Sequence, residues 1–374
     1  MTARPDILVA GGGLAGAAAA LALARSGREV LLLEREAVAQ DKVCGEFLSG
    51  EAAAALSRLG LDVVGLGGQV IEHVRLWRGR RGASAPLPFP AFGLSRRVLD
   101  EAVLARAVEA GAQLRRGCAV RRISAGLVET EAQSFAPRTL LLATGKHETR
   151  GLKRPAPLGT LVAFKTYFRL APAEHALLSS HVDLILFPGG YAGLLPVEGG
   201  RANFCMVLDH SMLRRLGGWP EVLAYVQESC PHLAARLRGA VALRAAPLCI
   251  ARMPYGFVHR CASGDPAGYY RLGDQAAVIH SFTGDGMAIA LHSAALAARC
   301  IGAGEGADIF HRRLGQQVGA QIRRAGWMYR ALSLPLLGAI SFSAMAQFPM
   351  GIEFLAAQTR LRTGGRWESS PPRA

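Results

Sequence analysis

Asp6-Ile7-Leu8-Val9-Ala10-Gly11-Gly12-Gly13-Leu14-Ala15-Gly16 joins a short apolar run to a glycine-rich turn. Ile7 to Ala10 reads as a buried strand, because four to eight apolar residues bounded by turn signals fit one. The Ala/Leu-rich stretch Ala17 to Arg25 has high helix propensity, and Gly27 suits its end. Glu29-Val30-Leu31-Leu32-Leu33-Glu34 is a second apolar strand that closes on an acid. The order is strand, glycine turn, helix, strand, acid. Gly11 permits the tight turn, Gly13 lets backbone approach a pyrophosphate, and Gly16 lets the helix lie close to the strand. Phosphates lodge at such a helix start because its free N–H groups and dipole favour anions. Glu34 follows Gly16 by 18 residues, near the ~20 expected of a carboxylate that holds ribose hydroxyls. The unit predicts dinucleotide binding.

The rest of the chain sets bounds. It has 374 residues, 51% hydrophobic and 19% charged, with 44 Gly of no fixed period. A disordered or collagen-like chain is excluded. The length predicts two or three domains at ~100–200 residues each. Net charge is +15, yet only four of the 43 basic residues are lysines: Lys42, Lys146, Lys153 and Lys165. The arginines are scattered, with no basic block and no interleaved aromatics, so nucleic acid is not an expected partner. Seven cysteines at 44, 118, 205, 230, 249, 261 and 300 form no C-x-x-C. Neither a metal site nor a disulfide framework is expected, and a reducing cytoplasm is the expected location. The N-terminus has no signal-peptide pattern.

Further along, Arg35-Glu36 follows Glu34, and Lys42-Val43-Cys44-Gly45-Glu46 comes soon after. Tyr269-Tyr270-Arg271-Leu272-Gly273-Asp274 reads as a strand that ends in Gly-Asp. Ser281-Phe282-Thr283-Gly284-Asp285-Gly286-Met287 then leads into an apolar helix, Ala288 to Cys300. One chain thus has two glycine-rich helix starts about 270 residues apart. The second suits another part of the same long cofactor.

These pieces, together with Leu140-Leu141-Leu142-Ala143-Thr144-Gly145, resemble FAD-dependent oxidoreductases of the geranylgeranyl reductase and aromatic-ring hydroxylase group. That group shares the para-hydroxybenzoate hydroxylase-like fold. The resemblance implies an α/β chain with a Rossmann-like FAD-binding domain of glutathione-reductase type. It implies FAD contacts at Gly11, Gly13, Leu14, Ala15, Gly16, Glu34, Arg35, Cys44, Gly45, Thr144 and Gly145. Asp274 after Gly273 inherits a place at the ribityl or pyrophosphate region. Thr283, Gly284, Asp285, Gly286 and Met287 match the turn at the flavin edge, where N–H groups stabilise negative charge. Arg96 matches a cofactor-contacting arginine, in Ser95-Arg96-Arg97-Val98-Leu99-Asp100, with Ser95 as its helix cap. The chain departs from the group where a proline usually precedes the late turn; Ser281 stands there, after His280. The halogenase signature Trp-x-Trp-x-Ile-Pro is absent, so halogenation is not expected.

The middle of the chain reads as a sheet. Leu158 to Arg169, Val182 to Phe187, Tyr191 to Val197 and Ala202 to Leu208 are apolar and rich in β-branched and aromatic residues. Pro188-Gly189-Gly190 and Glu198-Gly199-Gly200 separate the later runs. A mainly antiparallel substrate domain is expected, with Val70 to Trp77 and Ala242 to Val258 as further strands. Phe187, Tyr191, Phe204, Met206, Tyr255 and Phe257 are its pocket candidates. Expected domains are FAD-binding at 1–68, 96–150 and 262–307, substrate at 69–95 and 151–261, and a helical C-terminal segment at 308–374. Cys44 and His280 are the catalytic candidates, Cys44 as nucleophile or as a residue beside the flavin. Ala331 to Ile352 carries no charge, and Asp308 to Ala374 holds nine arginines against three acids. Buried capping helices and peripheral docking on an anionic membrane both fit this pattern.

The expected activity is a monooxygenase that uses FAD, with NAD(P)H as transient reductant, on a lipophilic aromatic small molecule. The alternatives are a reductase of isolated C=C bonds in a prenyl lipid and a flavin-binding protein without its own substrate.

Overall fold

A computed structural model describes the chain except residues 1, 125, 157–158, 261–267, 335–341, 344–346, 348–349, 359 and 362–374. A five-stranded parallel sheet runs in the order Tyr269–Arg271, Thr139–Leu142, Ile7–Ala10, Val30–Leu33, Gln113–Arg115. Ile7–Ala10 and Val30–Leu33 are buried at every residue, as covered parallel strands must be. The helices Leu14–Arg25, Arg96–Glu109 and Gly286–Gly302 pack together beside this sheet. The Leu14–Arg25 helix is nearly all Ala and Leu, so it buries ten of its twelve residues and lets its neighbours approach closely.

The second sheet has nine strands and is antiparallel except where Ser180–Phe187 runs parallel to Gln69–Arg78. Its centre is Leu161–Arg169, Arg201–Asp209 and Gly190–Val197, in full antiparallel register. The expected strands are present. One that the sequence conceals is Arg81–Gly93, which carries Pro86, Pro88 and Pro90. Pro88 and Pro90 fall between Ala91 and Pro86, where the pairing with Gln69–Arg78 shifts register, so no regular ladder needs the N–H groups they lack. The two-residue strand Phe47–Leu48 also pairs with Arg81–Gly93, although the strand before it, Val30–Leu33, belongs to the first sheet.

Helices His210–Leu216, Trp219–Ser229 and Pro231–Arg236 cover one face of the large sheet. The 27-residue helix Ala307–Ser333 buries Phe310, Leu314, Val318 and Ile322 in the core of the cofactor domain. Helix Met350–Gln358 follows, against Arg81–Gly93. Most of the uncharged run 331–352 lies outside the described residues. Among the described residues no helix is long and apolar enough to cross a membrane.

Candidate active site

The first glycine turn is built by close approach. Gly11 has φ +108°, and a Cβ there would lie 2.5 Å from the Ala143 carbonyl oxygen. A Cβ on Gly16 would lie 1.9 Å from the Gly11 carbonyl oxygen. Gly13 differs. Its Cβ would meet Lys42 Nζ at 3.5 Å, an Arg96 guanidinium nitrogen at 3.6 Å and Asp100 Oδ2 at 4.0 Å. Two cations therefore stand over the N-terminus of the Leu14–Arg25 helix. Both are held by Asp100, Lys42 at 2.7 Å and Arg96 at 2.8 and 2.9 Å. Burial opposes the Asp100 charge, but Arg96 and Lys42 outweigh it and hold the carboxyl below the usual range. Burial likewise opposes the Arg96 charge, and Asp100 more than restores it. Glu34 closes the turn, its carboxylate accepting from the N–H of Gly12 at 2.6 Å and of Glu36 at 2.9 Å.

The Gly-Asp element lies against this turn. Gly273, at φ +53°, puts its Cβ position 3.2 Å from Ala15 Cβ. Arg154 donates to the Asp274 carbonyl at 2.9 Å and to the Lys146 carbonyl at 3.0 Å. Gln275 donates to the carbonyls of Gly145 and His147, both at 2.8 Å. The loops that carry Thr144-Gly145 and Gly273-Asp274 are thereby fastened together. At the late turn Gly284 is left-handed, with Phe47 Cδ1 2.5 Å from its Cβ position. The Asp285 carboxylate points inward, to Ser49 Oγ at 3.0 Å, to Arg360 at 3.4 Å and to Gln321 Nε2. Burial pushes the Asp285 carboxyl up although Arg360 pulls it down.

Lys42 to Glu46 bridges the two sheets. Lys146 Nζ donates to the Val43 carbonyl at 2.5 Å. Asn203 Nδ2, from the large sheet, donates to the Gly45 carbonyl at 2.7 Å and the Cys44 carbonyl at 3.3 Å. Cys44 Sγ accepts from the Glu46 N–H at 3.4 Å. Glu46 itself is fully buried against Lys165 and Tyr167.

Residues 6–65 match the family model described as an FAD binding domain. The chain carries an FAD-binding domain. It is 30% identical over 229 residues to a menaquinone reductase of Mycolicibacterium smegmatis, covering 54% of each chain. It is 24% identical over 362 residues to a squalene epoxidase of Schizosaccharomyces pombe, covering 88% of this chain and 76% of that one. It thus spans about half the length of the menaquinone reductase. In fold it superposes on a flavin-dependent brominase, Bmp2, with TM-score 0.78 at 17% identity, over 97% of this chain and 95% of the other.

The donor set suits FAD. A phosphate-sized anion finds the helix N–H groups, Lys42 and Arg96 in front of Gly13. A Cβ on Gly45 or Gly286 would meet nothing within 4 Å, so both leave open space before the backbone. The half-buried Asp274 carboxylate makes no hydrogen bond among the described residues. Arg35 is exposed and pairs with Glu36 at 2.7 Å. Thr144 Oγ1 is turned to the His147 carbonyl at 3.1 Å.

The pocket candidates divide between the two faces of the large sheet, because side chains alternate along a strand. Tyr191 shares a face with Leu161, Ala163 and Val207, next to Val43, Tyr255, Phe282 and Tyr329. Phe187, Phe204 and Met206 point the other way, into the core under the covering helices. They do not join Tyr191 and Tyr255, which corrects that part of the expected pocket. The Phe257 ring stands 6.3 Å from His259. His280 is stacked between Tyr255 at 4.8 Å and Tyr329 at 4.3 Å. Burial, then Arg330, lowers it to about 4. At neutral pH it is an uncharged ring stacked in this wall. Burial also raises the Tyr191 and Tyr255 hydroxyls, so both stay protonated.

Sequence reasoning missed Lys165, Tyr167, Asn203, Arg154, Gln275 and Arg360. The clearest available signal was lysine itself. Of the chain's four lysines, Lys42 opens the 42–46 segment and two others, Lys146 and Lys165, converge on it at Val43 and Glu46.

Proposed function

We propose that this protein is an FAD-dependent oxidoreductase that reduces a carbon–carbon double bond of a lipophilic, prenyl-type substrate, with NAD(P)H as transient reductant. The observation that carries the reading is the placement of Cys44. Its half-buried thiol lies on the loop that joins the glycine turn to the large sheet, beside Arg96 and Cys205. On that sheet face the wall is apolar and aromatic: Leu161, Ala163, Tyr191, Val207, Tyr255 and Phe282. A chain of methyl-branched hydrocarbon is matched by such a wall, which excludes water from the reacting carbons.

In this reading Gly11, Gly13 and Gly16 bring the helix start to the pyrophosphate, with Lys42 and Arg96 as its cations. Glu34 takes the adenosine ribose and Asp274 the ribityl side. The N–H groups of Gly286 and Met287, at the start of the Gly286–Gly302 helix, would serve the flavin's pyrimidine edge, since those of Thr283, Gly284 and Asp285 donate within the turn. When bound, reduced FAD supplies a hydride. The balance then requires one proton at the other carbon, and in this reading the Cys44 thiol supplies it. Tyr191 and Tyr255 orient the substrate and exclude water.

A monooxygenase is the second reading, favoured by the squalene epoxidase whose match runs over most of this chain. The excess of arginine after residue 308 supports peripheral contact with an anionic membrane as the route to a lipid. The test is anaerobic. Reduced protein mixed with a prenyl lipid should return oxidised flavin and a product two hydrogens heavier. Reoxidation that waits for oxygen, with one oxygen gained by the product, would replace the reductase by the monooxygenase.

A further inference from the structure

Glu46 and Lys165 are ionisable groups to which no solvent reaches, and burial pushes the Glu46 carboxyl up although Lys165 pulls it down. Glu46 also holds a backbone φ of +58°, a conformation that a residue with a side chain adopts only when its surroundings impose it. The surroundings here are specific. The carboxylate accepts from the Arg96 N–H at 2.8 Å and from the Tyr167 hydroxyl at 2.8 and 2.9 Å, and it pairs with Lys165 Nζ. Lys165 Nζ in turn donates to the Tyr167 oxygen at 2.7 Å.

Three parts of the molecule meet at this carboxylate. Glu46 ends the loop that presents Cys44 and Gly45. Arg96 begins the Arg96–Glu109 helix, and its guanidinium stands before Gly13. Lys165 lies in the middle of a strand of the large sheet, whose residues are otherwise apolar up to Thr166. A buried ion pair is seldom the most stable filling for such a space, since apolar residues of equal volume do as well or better. What it adds is geometry. A carboxylate with three fixed donors has one position, and here that position fixes both the Cys44–Glu46 bend and the Arg96 backbone.

We propose that Lys165 is a positioning residue for FAD, acting through Glu46: it neutralises the buried carboxylate that sets the Gly45 backbone and the Arg96 guanidinium against the cofactor. This rests on the reading that Gly45 and Arg96 touch FAD.

The experiment titrates apoprotein with FAD, following flavin fluorescence and the flavin absorption bands. It compares wild type, Lys165→Met, Glu46→Gln and the double variant, each checked for a cooperative melt. Lys165→Met leaves a carboxylate buried without its cation and should weaken FAD binding about tenfold or more, with shifted flavin bands. The double variant should recover to within about threefold of wild type, because a neutral amide still accepts from Arg96 and Tyr167 and needs no cation. A Lys165→Met protein that binds FAD as wild type does would overturn the proposal. So would a double variant no better than Lys165→Met, since Lys165 would then only fill space. If Lys165→Met does not fold, the folded double variant decides: tight binding supports the proposal and weak binding overturns it. A wild-type chain that takes up no FAD would instead remove the underlying reading.

Discussion

A methyl group added at Gly13 and one added at Gly16 meet different surroundings. At Gly16 it meets backbone 1.9 Å away, which cannot yield without moving strand against helix. At Gly13 it meets the tips of three side chains, Lys42, Arg96 and Asp100, each beyond 3.4 Å. Gly16→Ala should therefore cost about 1–3 kcal/mol of stability and FAD binding together. Gly13→Val should keep the melting temperature within a few degrees and lose FAD, because its bulk occupies the place of the pyrophosphate. Equal losses of stability in both variants would count against two separate roles. His280 gives a prediction in pH. Its folded value of about 4 lies below the ordinary value of 6.5. The unfolded chain thus binds the proton more readily. Its contribution is full above about pH 6.5 and is lost as pH falls toward 4, up to about 3 kcal/mol. His280→Phe keeps a ring in the stack and should flatten the fall in melting temperature over that interval. Parallel curves for the two proteins would exclude His280 as its source.

At the scale of elements, the strand Arg201–Asp209 separates packing from function by alternation. Ala202, Phe204, Met206 and Leu208 face the covering helices, while Asn203, Cys205 and Val207 face the loop at Cys44. Phe204→Ala should cost about 3–5 kcal/mol in denaturant unfolding and leave FAD affinity unchanged. A matched loss of FAD would mean that the two faces are not independent. This alternation explains what could be read in the sequence. Both glycine turns, the second apolar strand with Glu34 and most of the large sheet were legible, because each rests on neighbours in the chain. The choice of face was not, since every run was apolar on both sides and large aromatics drew the pocket toward Phe187, Phe204 and Met206. Asn203 and Lys165 were the polar exceptions that marked the other face. Arg81–Gly93 was hidden by its three prolines, two of which sit where the pairing with Gln69–Arg78 shifts register.

For the whole molecule, the last described residues return to the late turn. Arg360 donates to the Thr283 carbonyl and reaches the buried Asp285 carboxylate, while Arg324 holds Gln358 at 3.1 Å. A chain that stops at Pro349 loses the cation beside Asp285, and it should bind FAD more weakly than the full chain by equilibrium titration. Undiminished affinity would show that the turn holds its shape without the tail. The order of strands in the parallel sheet has a further consequence, for synthesis. Ile7–Ala10 pairs with Thr139–Leu142, which pairs with Tyr269–Arg271. At ~5–20 residues per second, a ribosome spends many seconds between the first of these strands and the last. For the first half of that interval the nascent glycine turn lacks its neighbour at Ala143, and for all of it the Gly-Asp partner, so the cradle for FAD is completed only late in synthesis.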